Sequence, residues 1–229
     1  MLENPNNEPR SIPWTFRRTI WGTLPYGLVT SLAYLPLPQA QPTVNTFGVR
    51  IIGTVIAFII SFTILLAPVY IIAIRKRKAA LNDLGFCSFS TSQTLPSALL
   101  IALGYVAAAY LWVFMGGRRE PLPYFGTGLG AFFLSLIFVA GLTPIVEELF
   151  FRGFLYIGLR NRLHFWPAAI LSAALFGLGH NAIYPQAALG VALPWLRERT
   201  GSLWPCVLVH SAVNLTIVTI RYLTHRFPA

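Results

Sequence analysis

Acidic residues are scarce in this chain: seven aspartates and glutamates stand against seventeen lysines and arginines. Charged residues of both signs reach only 10%, against roughly 25% in ordinary globular domains, too few to clothe a soluble surface of this size. Cysteine is nearly absent, and Cys87 and Cys206 are too few for a disulfide framework. No internal repeat or low-complexity tract appears, which sets solenoids and repeat arrays aside. The opening residues Met1–Ser11 contain Glu3, Pro5, Glu8 and Pro9 and no apolar core, so they do not read as a secretory signal.

What fills the chain instead is apolar: 55% of residues are hydrophobic, in runs too long for the strands of a soluble core. The net charge of +10 might suggest a nucleic-acid partner, but the distribution argues otherwise. Basic residues fall in short clusters between apolar runs: Arg17-Arg18, Arg75-Lys76-Arg77-Lys78, Arg118-Arg119, Arg160 with Arg162, and Arg197 with Arg199. That is the pattern of loops on a polytopic membrane protein facing anionic lipid, and nucleic acid is not expected.

Seven apolar segments can be drawn: Ile20–Leu37, Ile51–Ile74, Pro96–Phe114, Gly126–Ile157, Phe165–Gly179, Tyr184–Leu196 and Leu203–Ile220. The expected fold is all-α, a polytopic transmembrane helical bundle forming one integral membrane domain over residues 1–229. The first segment is interrupted by Pro25 and Pro36. In the fourth, Gly141 and Pro144 should bend the helix. The sixth is too short to cross a hydrocarbon core of roughly 30 Å upright and is expected to be re-entrant or buried. Ala79–Ser92 reads as a polar, partly helical surface loop. Putting Arg75–Lys78 in the cytoplasm of a cell-membrane protein makes the N-terminus cytoplasmic as well.

Five of the seven acids, Glu3, Glu8, Asp83, Glu120 and Glu198, lie in polar flanks where water can solvate them. The other two, Glu147 and Glu148, are adjacent and follow a run from Pro121 to Val146 without a single charge. A carboxylate at membrane depth costs several kcal/mol or more and marks a functional site by default. Glu148 and Arg152, four apart on one helix face, can neutralise each other. Glu147 is left without an in-helix cation.

Two further apolar segments carry ionisable residues, His180 and His210, with Asn214 one helical turn after His210 and on the same face. With the turn between the fourth and fifth segments centred at Leu163, Glu147 lies 16 residues before it and His180 17 after. At about 1.5 Å per residue both arrive roughly 25 Å from the turn, at matched depth. Ser202 and Pro205 fit the N-cap and first turn of the last helix. Singly, each histidine reads as a hydrogen-bonded core residue; together, depth-matched to a carboxylate pair, they read as a site. Glu147, His180 and His210 could bind zinc and leave a position open for water. A carboxylate with a histidine could equally activate water directly. Asn214 could then donate to an oxyanion. The chemistry suggested is amide hydrolysis within a membrane. A proton-coupled carrier and a non-catalytic scaffold of the same fold are the competing classes.

The three motifs, E-E-x-x-x-R from Glu147 to Arg152, F-x-x-x-H from Phe176 to His180 and H-x-x-x-N from His210 to Asn214, resemble those of the CAAX-processing and bacteriocin-processing (Abi) intramembrane proteases. The stretch Arg199–Pro205 is similar too, and the resemblance covers a helical core of about residues 126–220. It implies an endopeptidase acting on a membrane-associated, prenylated or leader peptide. Glu147 would be the water-activating base or a metal ligand, and His180 its partner. His210 and Asn214 would face the transition state, and Glu148 with Arg152 would be the support.

Overall fold

The computed structural model describes residues 12–32, 47–116, 125–126, 128–180 and 183–226, and every regular element among them is helical. The described residues form seven helices: α1 (Phe16–Leu32), α2 (Phe47–Pro68, prolonged by a π-helical stretch Val69–Arg75), α3 (Thr91–Phe114), α4 (Leu129–Arg160), α5 (Phe165–Leu178), α6 (Ile183–Thr200) and α7 (Trp204–Arg226). Four stretches are long and apolar enough to cross a membrane: Ile51–Arg75, Thr91–Phe114, Leu129–Arg160 and Trp204–Thr224, with mean hydropathies of 2.7, 2.0, 2.3 and 1.5. Their outer faces agree. On α3 alone, Leu99, Leu100, Leu103, Tyr110 and Phe114 are exposed, a contiguous apolar surface that water would not tolerate and lipid would. The chain is a multi-pass integral membrane protein.

The expected segments are all present as helices, with shifted ends. The first begins at Phe16, so Arg17 and Arg18 lie inside α1 rather than ahead of it, and Pro25 is absorbed within the helix; Pro36 lies outside the described residues, as do Glu3, Glu8, Arg118, Arg119 and Glu120. At 14 residues α5 is too short to count among the candidate spans. The sixth helix is 18 residues long, not 13, and takes in Arg197, Glu198 and Arg199 before Gly201, at φ +67°, ends it. Glycine suits that left-handed position because it has no Cβ to clash. α6 packs against α5 so closely that a Cβ on Gly190 would lie 2.9 Å from the Ala173 Cβ.

The core centres on the second half of α4, where Phe150, Phe151, Phe154, Leu155 and Tyr156 are fully buried. Tyr26 of α1 closes against the Phe150 and Phe151 rings at 5.5 and 5.3 Å. The connection before α3 is turn and extended chain, not partial helix, and it is not a loose surface loop: Leu84 is fully buried. Leu203 N–H donates to the Gly85 carbonyl at 2.7 Å, and the Ser202 hydroxyl donates to the Cys87 carbonyl at 2.6 Å. These bonds tie that loop to the turn between α6 and α7. Ser202 Oγ also accepts the Trp204 N–H at 3.3 Å, capping the first turn of α7 ahead of Pro205.

Glu198 is not simply solvated. It accepts hydrogen bonds from Tyr156 Oη, at 2.7 Å, and from Arg160 Nε, joining α6 to the end of α4. Burial works to raise its carboxyl, but those hydrogen bonds and the charges of Arg160 and Arg197 outweigh it and hold the group below the ordinary carboxylate range.

Candidate active site

α4 is one continuous helical run that switches into π-helical pitch twice. Leu136–Leu142 and Leu149–Tyr156 are π-helical, and the α-helical turn Thr143–Glu148 lies between them. Both glutamates stand on that turn. The sequence provides a reason for the first switch. Pro144 has no N–H to donate, and five residues back, at π spacing, is the Val139 carbonyl. That carbonyl accepts Asn214 Nδ2–H from α7 at 2.9 Å. Thr143 Oγ1 also reaches five residues back, donating to the Phe138 carbonyl at 2.8 Å.

Glu148 is fully buried, and its Oε1 accepts two hydrogen bonds: Arg152 Nη1 at 2.8 Å and His210 Nδ1 at 2.9 Å. The first is the pair expected from the spacing of four. The second comes from 62 residues along the chain. Arg152, also fully buried, lies with its Cζ 4.6 Å from the centroid of the Phe176 ring, a cation–π contact that gains strength out of water. Its Nη2 sits 3.4 Å from the Gly190 carbonyl of α6. The Phe176 ring is shared further, 4.5 Å from the His180 ring and 5.7 Å from that of His210. Thus Phe176, named in the sequence only as a motif position, is the hydrophobic post around which the charged groups are arranged.

Glu147 faces the other way. It lines a cavity of about 320 Å³ whose wall also includes His180, His210, Asn214, Tyr105 and Gln186. Glu148 is not part of that wall. The two glutamates are therefore separated by environment as well as by rotation. His210 connects them: Nδ1 is on Glu148, and Nε2 is 3.7 Å from Glu147 Oε2. His180, placed just past the end of α5, has its Nδ1 2.8 Å from the Phe176 carbonyl. A carbonyl can only accept, so Nδ1 carries the proton and the basic lone pair of the neutral ring is on Nε2.

All four residues expected at the chemistry, Glu147, His180, His210 and Asn214, border this one cavity, and Glu148 and Arg152 sit behind it. Over residues 127–216 the chain matches the family model described as "Type II CAAX prenyl endopeptidase Rce1-like". Over that stretch of the helical core the chain is similar to this family. The chain is also 24% identical over 139 residues to "Putative membrane peptidase YdiL" of Bacillus subtilis (strain 168), covering 53% of this chain and 57% of that protein. "Dicarboxylate transporter 1, chloroplastic" of Arabidopsis thaliana and of Spinacia oleracea each match at 28% identity over 111 residues, 42% of this chain. The chain thus spans just over half the length of the bacterial relative and a fifth of the two plant transporters. No solved structure matches it.

Within this core a zinc triad of Glu147, His180 and His210 is a natural expectation from residue types. Among the described residues no three His, Cys, Asp or Glu side chains are grouped to hold a metal ion. The Glu148 contact on His210 Nδ1 fits either role, since a carboxylate on that nitrogen orients a histidine that acts through Nε2, here the nitrogen facing Glu147.

Tyr105 and Gln186 belong to none of the sequence motifs, yet they meet across the cavity wall with Gln186 Nε2–H donating to Tyr105 Oη at 3.2 Å. A signal existed for Gln186, a lone amide in an apolar helix. Tyr105 gave none, because a tyrosine in a membrane span is ordinary.

Proposed function

We propose that this protein is an intramembrane endopeptidase that hydrolyses a peptide bond of a membrane-associated substrate, such as a prenylated or leader peptide, with Glu147 as the base that activates water. The observation that carries the reading is the division of labour between the two carboxylates. Glu148 is neutralised by Arg152 and buried behind the wall. Glu147 borders the cavity beside an imidazole 3.7 Å away.

Charge counting narrows the protonation state. Arg152 balances Glu148, so the remaining pair, Glu147 and His210, is neutral overall if the two share a single ionisable proton. A buried net charge would be costly. The proton then resides on His210 Nε2, leaving Glu147 a carboxylate, or on Glu147 itself. In the first form Glu147 removes a proton from water as the oxygen bonds to the scissile carbonyl carbon. The carbonyl oxygen takes up the electron pair, and His210 Nε2–H and the amide of Asn214 are the donors placed to receive it. The proton held by Glu147 then passes to the departing amine nitrogen as the C–N bond breaks. One water is consumed, and one carboxyl and one amine result. His180, with its Nδ1 fixed by the Phe176 carbonyl, holds the attacking water alongside Glu147. Glu148 orients His210 through Nδ1, the role a carboxylate plays behind a catalytic histidine elsewhere.

The test is proteomic. Membranes containing the wild-type protein should accumulate cleavage products that membranes with Glu147→Gln, expressed to the same level, lack. A wild type that cleaves nothing yet drives proton-coupled flux across liposomes would replace this reading with a carrier. Identical products from wild type and Glu147→Gln would remove the assigned base.

A further inference from the structure

We propose that Gln186, held by Tyr105, is a backbone-recognition residue that hydrogen-bonds a substrate peptide group next to the scissile bond and so sets the register of cleavage. This rests on the endopeptidase reading above.

An extended peptide entering a cavity among apolar helices brings its own N–H and C=O groups, and each one left without a partner costs free energy. The catalytic groups on α4 and α7 can serve only the scissile carbonyl. The α2 side of the cavity presents Phe58, Phe62 and Leu65 with the hydroxyls of Thr54 and Ser61. The peptide groups that flank the scissile bond need partners as well, and outside the catalytic set Gln186 brings the one side-chain amide to the lining. Gln186 meets that need. A primary amide carries N–H and carbonyl on one planar group, the complement of a peptide group; Nε2 donates to Tyr105, and the buried Oε1 is the acceptor offered to a substrate N–H.

The placement supports recognition over simple adhesion between helices. Gln186 is 7% exposed, and what surface it keeps borders the same cavity as Glu147 and His210. Tyr105 is the residue through which α3, otherwise a lipid-facing helix, reaches that cavity. A leucine pair would join α3 and α6 as well without burying polar atoms. Tyr105 keeps the Gln186 side chain in one rotamer, which lowers the ordering cost when a peptide docks.

The experiment uses the full chain in liposomes with a fluorogenic transmembrane peptide that the wild type cleaves, and a set of analogues in which each backbone N–H is replaced in turn by N–CH₃. For wild type, methylation at one position beside the scissile bond should lower kcat/KM about tenfold, the value of one hydrogen bond. In Gln186→Leu the parent peptide should show KM raised about tenfold with kcat little changed, and that one N-methyl penalty should disappear while the others persist. Tyr105→Phe, which keeps the ring, should give a smaller rise in KM at the same register. N-methyl penalties unchanged in Gln186→Leu, or a fall in kcat with KM unaltered, would overturn the inference and leave the pair as packing. A wild type that cleaves no transmembrane peptide would instead remove the endopeptidase reading and this inference with it.

Discussion

Glu148 carries two hydrogen bonds on a single oxygen, and replacing it with glutamine tests whether it is structural or chemical. Glu148→Gln keeps the volume and removes the charge. Arg152 would then be a fully buried cation left with a 3.4 Å approach to the Gly190 carbonyl and the faces of Phe176 and Phe151. Removing one partner of a buried pair typically costs about 3–5 kcal/mol, because the other charge stays behind uncompensated. For a chain of this size 1 kcal/mol corresponds to about 2–4 °C in melting temperature, so the loss should be on the order of 10 °C in detergent. The double variant Glu148→Gln/Arg152→Met removes the stranded charge and should recover at least half of that loss. Melting temperature and detergent-extracted yield of wild type, both singles and the double form the cycle. A Glu148→Gln protein that melts within about 2 °C of wild type, or a double variant no better than the single, would refute the view that Arg152 depends on Glu148.

Glu147→Gln should behave in the opposite way, with normal yield and melting temperature but cleavage down by at least about a hundredfold, the usual scale for losing a general base; turnover near wild type would refute the assignment. Asn214→Ala loses the bond to the Val139 carbonyl, worth about 1 kcal/mol, and a donor to the oxyanion, worth about a hundredfold or more in kcat. If kcat falls only as far as the folded fraction does, Asn214 merely joins helices. Cleavage should persist after exhaustive chelation, and active protein holding close to one zinc by elemental analysis would refute direct activation by Glu147. Glu198 has a carboxyl pKa lowered by folding, so its contribution is present above the unfolded value near about 4.3 and lost as pH falls through the folded one. The wild type should therefore lose melting temperature in that acid range more steeply than Glu198→Gln, and parallel curves would dismiss the contribution.

The helices were legible because an apolar run of twenty residues has few other fates, and the Glu148–Arg152 pair because a spacing of four defines a helix face. Helix ends were less so. Pro25 and Pro194 both lie inside helices, where the sequence offers a stop. Arg197 reads as a loop cation, yet it is buried against Gly85, whose φ of +100° and missing side chain make room for the guanidinium. The common border of Glu147 and His180 was legible from counting residues to the Leu163 turn. The partner of His210 was not, since nothing local specifies which carboxylate an imidazole 62 residues away will meet.

What decided that pairing is the way α7 is attached to α4. His210 and Asn214 are one turn apart, and they bind α4 at Glu148 and at the Val139 carbonyl respectively. The order runs upward on α7 and downward on α4, so the two helices are antiparallel and pinned at two points. The lower pin requires a carbonyl turned outward, which the π-helical stretch and the missing N–H of Pro144 provide. An ideal α-helix through Val139 would consume that carbonyl internally and leave Asn214 without its anchor. The apparent irregularity in α4 is therefore what sets the height of α7, and with it the reach of His210 to both glutamates. Apolar periodicity carries no trace of this, because every residue from Leu136 to Leu142 is compatible with either pitch. Its one sequence mark is the proline expected to bend the helix, and that residue also governs where the histidine stands.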